Sequence, residues 1–237
     1  MSWHPAEHRE APLDFLVRPA GEADSPFGVA DGAPDALPPL VVLLHGYGGD
    51  ARSMMTLGEL LHPAFTVVVP QGPYALPDGG WGWYALGEAT PTGRVVDVPG
   101  MHAARRAVAR LLREAAEVHG ADPDRIYLCG HSQGAALALA VALAEPAGMA
   151  GLVAISGRVV PEALVAEATP GFVHGLPVLV AHGTYDPVVP VAHGRSARRV
   201  LEERGARVMY REYDAEHAVT REMLDDLNGW LGAAIVS

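Results

Sequence analysis

Apolar and polar positions along this chain follow two patterns, one typical of strands and one typical of helices. Runs that are apolar at every position predict strands covered on both faces, as in a parallel sheet. These runs are Leu40–Leu44, Phe65–Val69, Ile126–Cys129, Leu152–Ile155 and Val178–Ala181. Arg207–Tyr213 alternates between apolar and polar positions, which predicts a strand at the edge of the sheet.

The segments between these runs are mostly helical in character. The predicted helices are Ser53–Leu61, His102–His119, Gln133–Ala144, Val191–Arg204 and a last helix that begins at His217. Strands that alternate with helices predict an α/β fold, with a mostly parallel central sheet and helices on both of its faces.

The whole chain, residues 1–237, is predicted to form a single domain, because no linker-like change of composition interrupts the alternation. No long helical insertion is visible, so we expect no large cap domain. Residues 1–38 are predicted to be irregular, apart from an edge strand at Leu13–Val17. Pro70–Gly100 is dense in Gly and Pro and predicts a long loop, in which three aromatic residues within positions 81–84 favour a functional role over disorder.

Charge and composition exclude several classes of partner. A formal net charge of −11 argues against nucleic acid, because a phosphate backbone requires a basic surface. No apolar run approaches the roughly 18 residues of a membrane-spanning helix, so stable membrane insertion is not expected. The first ten residues show no secretory signal, and the single cysteine, Cys129, cannot form an internal disulfide. We therefore expect a cytoplasmic protein.

Candidate chemistry begins at residues 130–134, which read Gly-His-Ser-Gln-Gly and join a predicted strand to a predicted helix. In that context the pattern is typical of a nucleophile elbow, a strained turn that lifts a serine hydroxyl above the sheet. Glycine on both sides lets the strand and the helix approach closely, since a side chain would collide with the facing backbone. Ser132 is therefore the candidate nucleophile, and an ordinary serine in a strand–helix loop is the alternative.

A serine hydroxyl requires a base, and the base requires an orienting acid. In open α/β sheets such residues lie on loops after the carboxyl ends of strands. Asp186 follows Val178–Ala181 and His217 follows Arg207–Tyr213, which gives the order Ser, Asp, His. Asp214, three residues before His217, is the alternative acid.

With these residues the chain resembles the α/β-hydrolase superfamily, and within it the phospholipase/carboxylesterase family of bacterial esterases and acyl-protein thioesterases. The resemblance runs from about Leu40 to Leu231. Its marks, in order, are Leu-His-Gly-Tyr-Gly-Gly-Asp at 44–50, Pro-Gln-Gly-Pro at 70–73 leading to Trp83 and Tyr84, the elbow, His-Gly-Thr-Tyr-Asp-Pro-Val-Val-Pro at 182–190, and the late His217.

The resemblance implies an α/β-hydrolase fold and a catalytic triad of Ser132, Asp186 and His217. It also implies an oxyanion hole formed by the backbone N–H groups of Tyr47 and Gln133, whose side chains are then free to vary. A groove for the acyl chain is implied for Trp81, Trp83, Tyr84, Met54 and Met55. Packing of these five side chains in the core is the alternative.

One position departs from the family pattern. Similar enzymes usually have glycine just before the catalytic histidine, where this chain has Glu216. A carboxylate beside the base is expected to change the shape of the loop or the basicity of the imidazole. His45 and His182 are predicted to hold the turns at their strand ends by hydrogen bonds, and His131 to pack beside the nucleophile.

No group of potential ligands has metal-binding spacing, and the glycine-rich turns lack the Lys-Ser/Thr of a phosphate-binding loop, so we expect no metal and no cofactor. The sequence therefore predicts a serine carboxylesterase that hydrolyses short- to medium-chain esters of small molecules through an acyl-enzyme. An acyl-protein thioesterase and a lysophospholipase are alternatives with the same machinery. A non-catalytic binding protein on the same scaffold is a third. Whether the chain forms a homodimer is left open.

Overall fold

A computed structural model of the chain describes residues 13–21, 36–90, 93–144, 148–164, 173–233 and 235. Within these ranges the strands, in chain order, are β1 (Phe15–Arg18), β2 (Leu40–Leu44), β3 (Thr66–Pro70), β4 (Tyr74–Ala75), β5 (Trp81–Gly82), β6 (Leu86–Thr90), β7 (Gly93–Val96), β8 (Ile126–His131), β9 (Gly151–Ile155), β10 (Pro177–Gly183) and β11 (Arg207–Tyr213). The helices are α1 (Ala51–Gly58), α2 (Val98–Val118), α3 (Gln133–Ala144), α4 (Ala192–Glu203) and α5 (Arg221–Gly232).

Seven of the described strands form one sheet in the order β1-β3-β2-β8-β9-β10-β11. All neighbouring pairs are parallel except β1 and β3, which run antiparallel with Val17 opposite Val68. The predictions of a mostly parallel sheet and of edge strands at its two ends are therefore confirmed. The other residues of the predicted irregular segment 1–38 lie largely outside the described ranges.

Helices cover both faces of the sheet. Alternate residues of each central strand point to opposite sides, so each strand contributes side chains to both helix–sheet interfaces. On one face Leu40, Val42 and Leu44 of β2 pack in a cluster with residues of α2, α3 and α4. On the other face Val41 and Leu43 pack with residues of α1 and α5. Every residue of β2 is buried, which explains why the strand is apolar at every position.

Capping residues set the helix boundaries, and they correct the predicted ones. Asp50 caps α1, which begins two residues earlier than predicted, because its carboxylate accepts the Ser53 N–H at 2.7 Å. Thr220 caps α5 by accepting the Met223 N–H at 3.2 Å. The last helix therefore begins at Arg221, and the prediction that it starts at His217 is wrong. His217 lies in the loop between β11 and α5.

The prediction of a long irregular loop over Pro70–Gly100 is also wrong. β4 pairs with β5 and β6 pairs with β7, each antiparallel, and α2 already begins at Val98. Trp81 also forms an isolated antiparallel bridge with Gly49. Glycine density suggested a loop, but here glycine permits close backbone pairing: a Cβ on Gly80 would lie only 2.2 Å from the Gly48 carbonyl oxygen. No insertion larger than these hairpins interrupts the described part of the chain, in agreement with the expected absence of a large cap.

Candidate active site

The elbow residue Ser132 sits between β8 and α3 with a left-handed backbone, at φ +56°. Its N–H donates to the Ile155 carbonyl of β9 at 2.9 Å, and its carbonyl accepts the Ala136 N–H at 3.0 Å. A non-glycine residue in this conformation is strained. This left-handed conformation turns the chain sharply enough to place the hydroxyl above the carboxyl edge of the sheet.

The two flanking glycines are required by contacts between backbones. A Cβ on Gly130 would lie 2.4 Å from the backbone of Gly134. A Cβ on Gly134 would lie 2.2 Å from the carbonyl oxygen of Leu44, at the end of β2. The elbow is therefore wedged against two strands, and the predicted steric reason for both glycines is confirmed.

His217 and Asp186 reach Ser132 from two other loops. The Ser132 hydroxyl and His217 Nε2 are 2.8 Å apart, and His217 Nδ1 lies 2.6 Å from Asp186 Oδ2. With an ionised carboxylate, Nδ1 carries the proton and donates to Asp186, while Nε2 accepts from the hydroxyl. The structure thus brings together the three side chains predicted to form the triad, in the geometry of a nucleophile, a base and an orienting acid.

The buried carboxylate of Asp186 is held by the loop on which it lies. Its side chain has no exposed surface, and its Oδ1 accepts the N–H groups of Val188 and Val189 at 2.9 and 2.8 Å. Burial opposes ionisation, but the hydrogen bonds from His217 and from these backbone groups outweigh it, so the pKa of Asp186 lies below its ordinary value.

His182 holds the same loop from behind. Its Nε2 donates to the Val189 carbonyl at 2.7 Å and lies 3.6 Å from Asp186 Oδ2. Burial lowers the pKa of His182, so the ring is neutral at pH 7. Val189 is thus fixed at both polar ends, its N–H by Asp186 and its carbonyl by His182. The prediction that His182 holds its turn by hydrogen bonding is confirmed.

The glycine-rich turn after β2 passes directly beside the nucleophile. A Cβ on Gly46 would lie 3.3 Å from Ser132 Cβ. Within the described residues, the N–H groups of Tyr47 and Gln133 donate to no other protein group. His45 holds this turn: its Nδ1 donates to the Gly46 carbonyl at 2.8 Å, and its Nε2 accepts the Gly72 N–H at 2.9 Å. The predicted role of His45 is confirmed.

Four of the five side chains predicted to line an acyl groove are buried instead. Trp83 and Tyr84 are 1% and 3% exposed, and Met54 and Met55 lie in the core cluster between the sheet and α1. Their inclusion in an open groove is therefore corrected in favour of core packing. Trp81 alone among them presents substantial surface, with 37% of its area exposed.

The side chain of Gln133 was missed as a structural element. It is 5% exposed, and both ends of its amide are hydrogen-bonded to the segment that contains Trp83 and Tyr84. The expectation that it is free to vary is therefore wrong. The available signal was its position, since Gln133 is the one polar side chain of an otherwise apolar α3.

The other candidates near His217 play smaller parts. Asp214 is exposed and makes no hydrogen bond or ion pair with His217 among the described residues, and Glu216 is also exposed. The ring of His131 packs on that of His217, with centroids 5.1 Å apart. Across the described ranges, no three His, Cys, Asp or Glu side chains are grouped as metal ligands.

Comparison with known proteins decides the family. A family model described as Phospholipase/Carboxylesterase matches residues 32–235. The chain belongs to the phospholipase/carboxylesterase family. It is accordingly a serine hydrolase that acts on ester bonds. Acyl-protein thioesterase 1 of Kluyveromyces lactis is 30% identical over 217 residues, which cover 83% of this chain and 92% of that protein. A probable carboxylesterase of Oryza sativa subsp. japonica is 32% identical over 152 residues, 63% of this chain and 64% of that protein.

Solved structures show the same family fold. Esterase PE8 is 28% identical, with a TM-score of 0.78 over 94% of this chain and 99% of that one. The Bacillus cereus carboxylesterase is 20% identical with a TM-score of 0.74, over 94% of each chain. The prediction of an α/β-hydrolase fold is therefore confirmed.

Proposed function

We propose that this family member is a carboxylesterase that hydrolyses short- to medium-chain esters of small molecules with Ser132, His217 and Asp186. The observation that carries the proposal is the pair of contacts at 2.8 and 2.6 Å that link these three side chains. Through these contacts His217 can remove the hydroxyl proton of Ser132 as its oxygen attacks, which makes the serine a nucleophile.

In the proposed reaction, Ser132 Oγ attacks the acyl carbon while its proton moves to His217 Nε2. The oxyanion of the tetrahedral intermediate accepts hydrogen bonds from the N–H groups of Tyr47 and Gln133. Collapse of the intermediate breaks the ester bond, and the leaving alcohol takes the proton from His217. Water then repeats the sequence on the acyl-enzyme and releases the acid. Asp186 stabilises the imidazolium in both halves.

Burial of Trp83 and Tyr84 supports a preference for short acyl chains. Trp83 and Tyr84 fill space in the core, which leaves Trp81 as the exposed aromatic side chain of residues 81–84. An acyl chain gains about 0.8 kcal/mol for each CH₂ that it buries, and Trp81 alone of the five side chains expected to line a groove offers substantial surface for added length. We expect kcat/KM to rise over the first few carbons and then level off.

Ser132→Ala tests the nucleophile directly. With p-nitrophenyl butyrate as substrate, we expect this variant to lose the triad's contribution, a fall of roughly 10⁶ in kcat. Ser196→Ala, a matched change at an exposed position of α4, should keep the wild-type rate. Wild-type hydrolysis by Ser132→Ala would overturn the proposed function.

Thioester cleavage is the second candidate, and it is favoured by the relatives named acyl-protein thioesterase. Deacylation of lysophospholipids uses the same residues. The candidates separate when oxygen esters, thioesters and lysophospholipids with the same acyl chain are compared by kcat/KM. A thioester preferred by more than tenfold over the matched ester would replace the carboxylesterase assignment with the thioesterase one.

We also propose that the protein acts in the cytoplasm. Cys129 is a free thiol buried in β8, and burial raises the pKa of that thiol, so it is inert rather than redox-active. Across the described residues, no helix is long and apolar enough to span a membrane. A homodimer stays a prediction that sedimentation velocity would check.

A further inference from the structure

The amide of Gln133 joins the elbow to the segment that follows β5. Its Oε1 accepts the Trp83 backbone N–H at 2.9 Å, and its Nε2 donates to the Tyr84 carbonyl at 2.8 Å. Gly82 is packed tightly here, since a Cβ on it would lie 3.2 Å from Gln133 Oε1 and 3.1 Å from the Tyr47 ring. A buried amide bonded at both ends fixes the position of its partners, because a shift would leave a polar group unpaired.

Trp83 extends this connection to His45. The indole N–H donates to the His45 carbonyl at 2.8 Å, and the indole and imidazole centroids are 5.0 Å apart. Trp83 is 1% exposed and His45 is also buried, so neither ring has room to move independently. Trp83 therefore holds the backbone of His45 by a hydrogen bond and supports its imidazole by ring packing, while the Gly72 N–H binds the imidazole Nε2.

His45 in turn helps to hold one peptide unit beside the nucleophile. Its Nδ1 donates to the Gly46 carbonyl at 2.8 Å, and that carbonyl also accepts the Gly49 N–H at 3.1 Å. That carbonyl and the Tyr47 N–H belong to the same planar peptide group, so the orientation of one dictates the orientation of the other. If the Gly46 carbonyl turned away from His45, the Tyr47 N–H would turn as well.

We propose that the side chain of Gln133 is a positioning residue, which aligns the Tyr47 N–H for the oxyanion through Trp83 and His45. The inference rests on the proposed function. Gln133 then serves the oxyanion twice, because its backbone N–H is one donor and its side chain orients the other. The two donors stay in register with each other since both depend on the same residue.

Two substitutions test this connection at different points. Gln133→Met keeps the length of the side chain and removes both amide hydrogen bonds, while the backbone N–H remains. Trp83→Phe keeps an aromatic ring against His45 and removes the indole N–H. Loss of a complete oxyanion donor costs about 10²–10³ in kcat. We expect a misaligned donor to cost less, about 10- to 100-fold in kcat, with KM changed by less than about threefold.

Two further readouts separate positioning from a general loss of structure. Rates are expressed per active site titrated with a fluorophosphonate, so that unfolded protein does not count. The dissociation constant of butylboronic acid, which forms a tetrahedral adduct on the serine, should rise by the same factor by which kcat falls. The double variant should lose no more than the worse single variant, because both act through one connection.

The matched control is Trp230→Phe on α5, which replaces an indole that packs against the Tyr127 ring. This variant should leave kcat and boronate binding unchanged. Wild-type kcat per titrated site in Gln133→Met, or a fall in kcat with unchanged boronate affinity, would overturn the inference. If Ser132→Ala is inactive while Gln133→Met is normal, only this inference fails. If Ser132→Ala keeps wild-type activity, the proposed function fails first.

Discussion

Asp186 carries a charge that its burial disfavours, and its neighbours compensate for that burial. Two backbone N–H groups bind Oδ1 and His217 binds Oδ2, and together they lower the pKa of the carboxyl group. An acid that is ionised throughout the neutral range keeps the His217 proton on Nδ1. Nε2 is then available for the Ser132 proton, which is the tautomer that the reaction requires.

Asp186→Asn and Asp214→Asn make the same chemical change, from carboxylate to amide, at two positions. An amide at 186 favours the wrong imidazole tautomer, and we expect kcat to fall about 10⁴-fold. Asp214 is exposed, and the hydrogen-bond partners of the His217 ring are Asp186 and Ser132, so Asp214→Asn should change kcat less than twofold. Steady-state kinetics on p-nitrophenyl acetate measure both, and the opposite ranking would transfer the acid role to Asp214.

At the level of elements, two loops at the carboxyl edge of the sheet hold each other in place, the loop that carries Asp186 and the loop that carries His217. The Thr184 N–H donates to the Tyr213 carbonyl at 2.8 Å, and the Tyr185 N–H donates to the Ala215 carbonyl at 3.0 Å. Gly183 lies where the loop that carries Asp186 crosses the loop that carries His217. A Cβ there would lie 2.4 Å from the carbonyl oxygens of both Ala215 and Glu216.

Gly183→Ala should therefore displace the loop that carries His217. We expect a loss of about 1–3 kcal/mol in the free energy of unfolding and a fall in kcat of at least tenfold. Gly229→Ala is the matched control at an exposed position of α5, where the added methyl group meets no atom within 4 Å outside its own stretch of helix. It should stabilise the protein by roughly 0.5–1 kcal/mol. Urea titrations give both values, and a Gly183→Ala protein as stable and active as wild type would refute this account of the loop crossing.

Sequence patterns predicted those elements whose cause is local. Gly130 and Gly134 indicated the elbow because the whole motif lies within five residues, and β2 was recognised because each of its positions is buried. The β4–β5 hairpin was missed because its pairing is supported by contacts with the distant Gly48–Gly49 backbone. The two hydrogen bonds of the Gln133 amide were missed for the same reason, since their partners lie about fifty positions away in the chain.

At the scale of the whole molecule, several neutral histidines are buried at the carboxyl edge of one sheet. Burial lowers the pKa of His45 and His182, and it lowers that of His131 to about 4. His217 and His182 also disfavour the charged form of His131, while Asp186 favours it. Near pH 6.5 these rings therefore bind fewer protons in the folded protein than in the unfolded chain.

The expectation of a single domain stays a prediction, which one cooperative unfolding transition would support.

Stability should accordingly depend on pH in a window set by His131. Between pH 6.5 and about 4 the unfolded state binds more protons, so the free energy of unfolding falls as pH falls. For His131 alone the loss between pH 7 and pH 5 is roughly 2 kcal/mol. The lowered pKa of Asp186 adds a further loss only below this window, as that carboxylate becomes protonated.

His131→Phe keeps an aromatic ring on His217 and removes the titrating group. Urea titrations at several pH values should show a shallower decline for this variant than for the wild type. Parallel declines would show that His131 is protonated equally in both states, and they would contradict its assignment as a buried neutral imidazole.

Covalent labelling is the sharpest test of Ser132 as the activated nucleophile. The native protein is treated with a fluorophosphonate, digested, and mapped by mass spectrometry. We expect one adduct per chain, on Ser132, formed at a rate that falls sharply in His217→Ala. An adduct on another residue of the active protein, or labelling of Ser132 that is unaffected by His217→Ala, would contradict it.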